Sequence, residues 1–345
     1  MDWFERLTGF RESSYARTQA HLRLIDGRLI RQDSGEGFAV GTLTLPSLSE
    51  LRVAAATVKR PGRLRLSIVE GDVSVMHREP ENTGALFQVA SQFNMLEMVG
   101  PNVTPEDGVT GYEHDRTQGP ACAIAAGAAT VYRNYLVPVA GGTGQTANRQ
   151  LDGLADLGDA LAHRLGTDRA NLWTMRNGYA LPTASSLAAI ARYLHGADED
   201  ALDELRSRLR VGLHTDVEVT DGSAPRQLVS QIFCSALPVA YTRLPITLWA
   251  PFARLVLEAA YEATLLAGLL NAARGTSNRV QLTRLGGGAF GNADGWIDAA
   301  MLRALRMAGD RDLDVAVVSF GPAAPGLQAL IDCHRAKAAC PSRSV

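Results

Sequence analysis

The chain has 345 residues, 46% of them apolar and 20% charged, with a formal net charge of −2. That is ordinary globular composition, and the length fits one elaborated α/β domain with a full core. The charge balance provides no basic field of the kind nucleic-acid binders show, so nucleic acid is not an expected partner.

Four cysteines, Cys122, Cys234, Cys333 and Cys340, include no CxxC pair. This argues against both a disulfide scaffold and a zinc site. The start, Met1-Asp2-Trp3-Phe4-Glu5-Arg6, lacks the basic-then-apolar order of a signal peptide. The most apolar stretch, Pro245 to Leu270, is interrupted by Arg254, Glu258 and Glu262. It reads as a buried helix rather than a membrane span. The expectation is a cytosolic protein with no membrane partner.

In chain order, a polar lead-in precedes short candidate strands at His21–Ile25, Phe38–Leu43 and Arg63–Val69. Leu86–Ser91 reads as a more buried strand. Gly100 to Gly119 is polar and carries Pro101, Pro105, Gly108 and Gly111, so it is a loop, and one long enough to suggest a function. Ala121–Tyr135 reads as a helix opened by Gly119-Pro120. A Gly-rich loop follows at Val139–Asn148. Residues 150–166 and 184–210 carry helical spacing. Strands at Val211–Val219 and Leu228–Cys234 precede a helix at Pro251–Ala273, a strand at Arg279–Leu285, a helix at Asp294–Ala308 and a strand at Leu313–Phe320. Alternating strands and helices imply a three-layer α/β/α fold with a mixed sheet. We expect an N-terminal extension over 1–83, a core over 84–325 with a helical insertion at about 140–210, and a C-terminal tail over 326–345.

Two segments have the pattern of ligand loops. Arg284-Leu285-Gly286-Gly287-Gly288-Ala289-Phe290-Gly291-Asn292 follows a strand and precedes a helix. Glycines allow close backbone approach, and the N–H groups of the following helix start favour an anion such as phosphate. Gly286, Gly288 and Gly291 also satisfy GxGxxG, which leaves a nicotinamide-dependent oxidoreductase as an alternative. Too few residues follow for the rest of a dinucleotide-binding sheet, and no acidic residue ends the next strand. In the second segment a strand leads to Ser91-Gln92-Phe93-Asn94, then a loop carries Glu106, Asp107, Glu113 and Asp115, and Thr117-Gln118-Gly119-Pro120-Ala121 opens a helix. Amides such as Gln92 and Asn94 can donate to and accept from ribose hydroxyls. Asp107 and Asp115 are candidate general bases for hydrolysis at an anomeric carbon. Each could equally be a solvated loop charge. His214, Asp216 and Glu218 alternate onto one strand face, where a hydrogen-bonded histidine is the plain reading. Asn177-Gly178-Tyr179 reads as a turn.

The paired elements SQFN…DRTQGPACAIAAGAATVYR and LGGGAFGN…WIDAAM resemble the two ligand loops of macrodomains. More closely, they resemble the divergent arginine-specific macrodomain ADP-ribosylhydrolases, of which a bacterial-effector branch removes ADP-ribose from an arginine of ubiquitin. The resemblance covers roughly residues 84–321. It implies ADP-ribose as ligand, with no other cofactor and no metal, and a protein carrying ADP-ribose on arginine as substrate and partner, with ubiquitin as the branch's example. Asn94 matches the position of the asparagine that holds the distal ribose. Gln118, Gly119, Pro120 and Ala121 match the first phosphate loop, and Gly286, Gly287, Gly288, Ala289, Phe290, Gly291 and Asn292 the second. Asp107 and Asp115 match the family's catalytic loop acids, and Phe320 matches loosely a residue stacking on ribose or base. TQGPAC replaces the glycine run of ordinary macrodomains, which favours a protein carboxylate as catalytic group. A non-catalytic ADP-ribose reader with the same pocket is the other reading.

Overall fold

The computed structural model describes residues 1–222, 225–323, 326–329 and 331–332, so Cys333, Cys340 and most of the expected tail lie outside the described residues. A seven-stranded sheet runs through the molecule. Its strands are β1 (Thr42–Thr44), β2 (Arg65–Glu70), β3 (Leu86–Ala90), β4 (Gly212–Glu218), β5 (Leu228–Cys234), β6 (Arg279–Leu282) and β7 (Asp314–Ser319). Their spatial order is β1-β4-β5-β3-β6-β7-β2. The five strands from β5 to β2 are parallel, and β4 and β1 are antiparallel to their neighbours. The sheet is mixed, as the alternating elements imply. Residues 1–83 supply both of its edge strands.

The central strand shows why this sheet needs two covering layers. Leu86, Phe87, Gln88 and Val89 are at most 1% exposed. Side chains alternate across a strand. Phe87 and Val89 pack with Cys122 and Ala129 from the helices Gln118–Ala125 and Gly127–Val131, and with Ala126 between them. Leu86 packs on the opposite face with residues of the helices Ile246–Ala273, Asp294–Met307 and Leu48–Ala56. The expected three-layer α/β/α arrangement is therefore what the chain adopts. Ile246–Ala273 is the one helix among the described residues long and apolar enough to cross a membrane, and 83% of its most apolar window is buried inside the protein. It begins before the expected Pro251, which sits within it, and the long apolar run continues through that point.

Several elements differ from expectation for local reasons. The stretch Phe38–Leu43 is two strands, Gly37–Ala39 and β1, broken at Gly41 with φ +73°. The expected helix over Ala121–Tyr135 starts earlier, at Gln118, and is interrupted at Ala126 (φ −113°, ψ 57°). It then ends in a π-helical turn, Tyr132–Leu136. Residues 184–210 form two helices, Ala184–Gly196 and Glu199–Ser207, because Asp198 caps the second through the Ala201 N–H. The helix Leu48–Ala56, opened by a Ser47–Glu50 capping box, had no counterpart in the sequence reading.

Residues 140–210 carry three α-helices, a 3-10 helix and the hairpin Thr174–Arg176 with Tyr179–Leu181. They pack on the long helix through Trp173 stacked on Phe252 and through Arg206 paired with Glu258 at 2.7 Å.

Candidate active site

β3 and β6 pair only at Leu86–Val280 and Phe87–Gln281, then separate. The chain leaves β3 towards the layer of Gln118–Ala125 and leaves β6 towards the opposite layer, that of Asp294–Met307. Such divergence at the carboxyl ends of parallel strands opens a crevice. Two side-chain amides replace the lost ladder. Gln88 Oε1 accepts from the Thr283 N–H at 3.2 Å, and its Nε2 donates to Thr264. Gln118 Nε2 donates to the Gln88 carbonyl at 2.8 Å, and its Oε1 accepts from the Ala90 N–H at 2.9 Å.

A cavity of about 740 Å³, counting the open space at its mouth, occupies this crevice. Of the residues singled out in the sequence, Gln92, Asp115, Gln118, Gly119 and Pro120 line one side. Gly286, Gly288, Ala289 and Phe290 line the other. The two segments thus face one cavity. Among the described residues no group accepts from the N–H of Gly288, Ala289 or Phe290. At the facing helix start, Thr117 makes no side-chain cap. Free N–H groups at such positions favour an anion.

The glycines divide by role. Gly286 (φ +75°) and Gly291 (φ +69°) are in the left-handed region, and a Cβ on Gly286 would lie 2.4 Å from Ala236 Cβ. Gly288 faces open space, with nothing within 4 Å of a built Cβ. Asn292 is buried behind the loop and holds it, its Nδ2 donating to the carbonyls of Leu237 (2.9 Å) and Gly286 (3.3 Å). Gly287, Gly291 and Ala121 likewise flank the cavity without lining it.

Other candidates sit elsewhere. Asn94 is fully buried beside the cavity, and both ends of its amide are engaged: Nδ2 donates to Gln150 and Oδ1 accepts from the Leu96 N–H. Asp107 is exposed and caps its own turn, accepting from the Thr104 N–H at 2.8 Å and from Thr104 Oγ1 at 3.1 Å. It does not line the cavity, and neither does Phe320, which is 81% exposed. Asp115 is half-buried at the cavity and uses Oδ1 to accept from the Thr117 N–H at 2.8 Å. His214, Asp216 and Glu218 do not share a face, because a bulge at Asp216 (φ +58°) shifts the register. Among the described residues there is no group of three His, Cys, Asp or Glu side chains that could hold a metal ion.

The cavity also contains groups that the sequence reading passed over. Glu97, 2% exposed, lines it. Glu97 Oε1 lies 3.3 Å from Arg133 Nη2, while Oε2 has no hydrogen-bond partner. Burial pushes this carboxyl up to about 7, against the opposing pull of Arg133. Gly119 makes room for it, since a Cβ there would lie 3.1 Å from Glu97 Cγ and 2.1 Å from the Ala90 carbonyl oxygen. The signal in the sequence was a single acid inside an otherwise apolar run, Met95-Leu96-Glu97-Met98-Val99.

Tyr179, Tyr241 and Phe290 form an aromatic wall, with ring centroids 5.0–5.6 Å apart. Tyr179 comes from the hairpin Thr174–Arg176 with Tyr179–Leu181, so that hairpin also furnishes a wall of the cavity. Its hydroxyl donates to the Met98 carbonyl at 2.8 Å, and burial, then the neighbouring Tyr241, holds it above the usual tyrosine range.

The sequence matches no family model and no curated protein. Similar chains occur among solved structures. A poly(ADP-ribose) glycohydrolase from Thermomonospora curvata, bound to the inhibitor ADP-HPD, is 13% identical with a TM-score of 0.42, over 93% of this chain and 97% of that one. A poly(ADP-ribose) glycohydrolase from Deinococcus radiodurans, in complex with ADP-ribose, is 12% identical with a TM-score of 0.45, over 96% of this chain and 100% of that one.

Proposed function

We propose that the cavity binds ADP-ribose and that the protein hydrolyses the bond joining it to an arginine side chain of a modified protein. The observation that supports this most is one cavity holding two carboxyl groups in opposite surroundings. Glu97 is buried and raised to about 7, whereas Asp115 is half-exposed. Paired carboxyls in contrasting environments suit a division of acid, base and charge-stabilising roles. Two facing segments with free N–H groups suit a diphosphate between them.

In this reading Asp115 accepts the positively charged guanidinium of the modified arginine. Water attacks the anomeric carbon as the carbon–nitrogen bond breaks, through an oxocarbenium-like state. Glu97, ionised, takes a proton from that water and returns it to the departing guanidine nitrogen. The products are ADP-ribose with a new hydroxyl and an unmodified arginine. A group that titrates near the working pH is well matched to both transfers.

The test is release of free ADP-ribose from a protein mono-ADP-ribosylated on arginine, with ubiquitin as the first such protein. Glutamate-linked ADP-ribose and poly(ADP-ribose) are run in parallel, with and without chelator. Release from arginine alone supports the full reading. Release only from polymer or from glutamate overturns the arginine assignment. Tight ADP-ribose binding without release from any substrate makes the protein a reader. Binding of NAD in preference to ADP-ribose overturns the ligand itself.

A further inference from the structure

We infer that Arg133 is a positioning residue for the reaction at Glu97: its guanidinium holds one carboxyl oxygen and keeps the other, unpartnered one ready to exchange a proton at the cavity. The inference rests on the hydrolytic reading of the cavity.

Arg133 is fully buried and lies behind the cavity wall, not in it. It stands in the π-helical turn Tyr132–Leu136, a widened geometry often found at functional positions. Its donors are shared between the Glu97 loop and the helix Gly127–Val131. Nε donates to the Met95 carbonyl at 3.0 Å, and Nη2 lies 3.1 Å from Thr130 Oγ1 and 3.3 Å from Glu97 Oε1. The guanidinium carbon sits 3.8 Å from the centre of the Phe233 ring. Met95, two residues before Glu97, has φ +63°, a strained region for a non-glycine residue. Arg133 therefore grips both the strained backbone of the Glu97 loop and the carboxyl that loop presents.

The groups around the pair leave Arg133 as the cation that acts on Glu97. His214 from β4 has Nδ1 3.5 Å from Arg133 Nη1, and burial first, then Arg133, holds it neutral, well below the usual histidine range. The Tyr112 hydroxyl, accepting from the Glu97 N–H at 3.0 Å, and the Cys122 thiol are both pushed upward by burial and by Glu97, so both stay neutral. A buried ion pair of this kind is weak as a stabilising device compared with apolar packing. Its location next to a carboxyl that lines the cavity points to a role in setting charge.

The experiment compares the wild type with Arg133→Met and Arg133→Lys by two readouts. One is the pH profile of kcat/KM on arginine-linked ADP-ribose. The other is the titration of the Glu97 carboxyl by carbon-13 NMR, assigned with Glu97→Gln. Ionised Glu97 is the active form, so kcat/KM rises with pH through its midpoint. Loss of the cation in Arg133→Met moves that limb and the NMR midpoint upward together, by about 1–3 pH units. Arg133→Lys, which keeps the charge without the fork, falls between. ADP-ribose affinity stays within about threefold, a split that a merely structural defect would not produce. Should Arg133→Met not fold, Thr130→Val, which removes one anchor of the guanidinium, is expected to move both readouts in the same direction by less. Turnover with limb and midpoint unmoved in folded variants overturns this inference alone. Absence of turnover in the wild type overturns the hydrolytic reading and this inference with it.

Discussion

The Gly178 carbonyl accepts a hydrogen bond from the Phe93 N–H at 3.1 Å, which ties the Thr174–Leu181 hairpin to the loop that carries Glu97. Gly178 has φ +79°, and a Cβ there would lie 2.6 Å from Gln92 Cβ and 2.7 Å from Asn94 Oδ1. Asn177 adds to the tie, its Oδ1 accepting from Gln150 and its Nδ2 donating to the Pro101 carbonyl at 2.8 Å. Gly178→Ala is therefore expected to destabilise the protein by about 1–3 kcal/mol and to weaken ADP-ribose binding by displacing Tyr179. Thermal unfolding and calorimetric titration check the two parts separately. An unchanged Tm would show that the hairpin tip can withdraw freely.

The glycine-rich loop gives a contrast between neighbours. Gly288→Val adds its side chain to open space lining the cavity. It should leave the stability within about 0.5 kcal/mol of wild type and abolish ADP-ribose binding. Gly286→Val, with its positive φ and the contact to Ala236, should instead lower stability by several kcal/mol or prevent folding. Retained binding in folded Gly288→Val would put the ligand elsewhere.

The two loop aspartates should part company. Asp107→Ala removes a turn cap and is expected to cost about 0.5–2 kcal/mol in local stability, with turnover changed little. Asp115→Asn keeps the acceptor for the Thr117 N–H but removes the charge at the cavity. Its expected effect is a fall in kcat/KM of about 10²-fold or more. Steady-state kinetics on one arginine-linked substrate decide it, and equal losses from both variants would contradict the assignment.

Glu97 couples stability to pH as well as activity. Its folded-state value of about 7 lies above the ordinary value of 4.5. The folded protein thus binds the proton more tightly than the unfolded chain does. The stabilisation is fully present below about 4.5 and is lost as pH rises through about 7. Glu97→Gln should flatten this dependence between pH 5 and 8, hold ADP-ribose, and lower turnover by about 10²–10⁴-fold. Denaturant titrations across that range supply the stability curve. Buried His77 and His214, held below the usual histidine range, add the same pH dependence to wild type and variant, so the difference between the two curves is the readout; a difference that stays constant from pH 5 to 8 would mean Glu97 does not titrate there.

Local pattern was sufficient for much of the fold. The apolar run of Leu86–Ala90, the strand-turn-helix of Arg279–Met307 and the apolar length of the helix at Ile246–Ala273 are all visible in residue order, because period and punctuation are local properties. The Gly-containing loops after β3 and β6 could likewise be picked out, and they do face one cavity. Residue order could not distinguish Asp115 from Asp107. Both are loop acids near Gly or Thr, and only the packed chain puts one at the cavity and turns the other back on Thr104.

Glu97 was hidden for the same reason. Its character depends on partners far along the chain, Arg133 from a π-helical turn and Tyr112 from the preceding loop, and on the small Gly119 beside it. The amides of Asn94 and Gln118 show the converse: one was expected at a sugar and the other in a phosphate loop, yet in the fold they brace the loop after β3 and complete the broken ladder at β3. Sequence alone determined the layers, the central strand and the two segments that face one cavity. Tertiary structure decided which carboxyls share the cavity, since burial and charge pairing exist only once distant segments have come together.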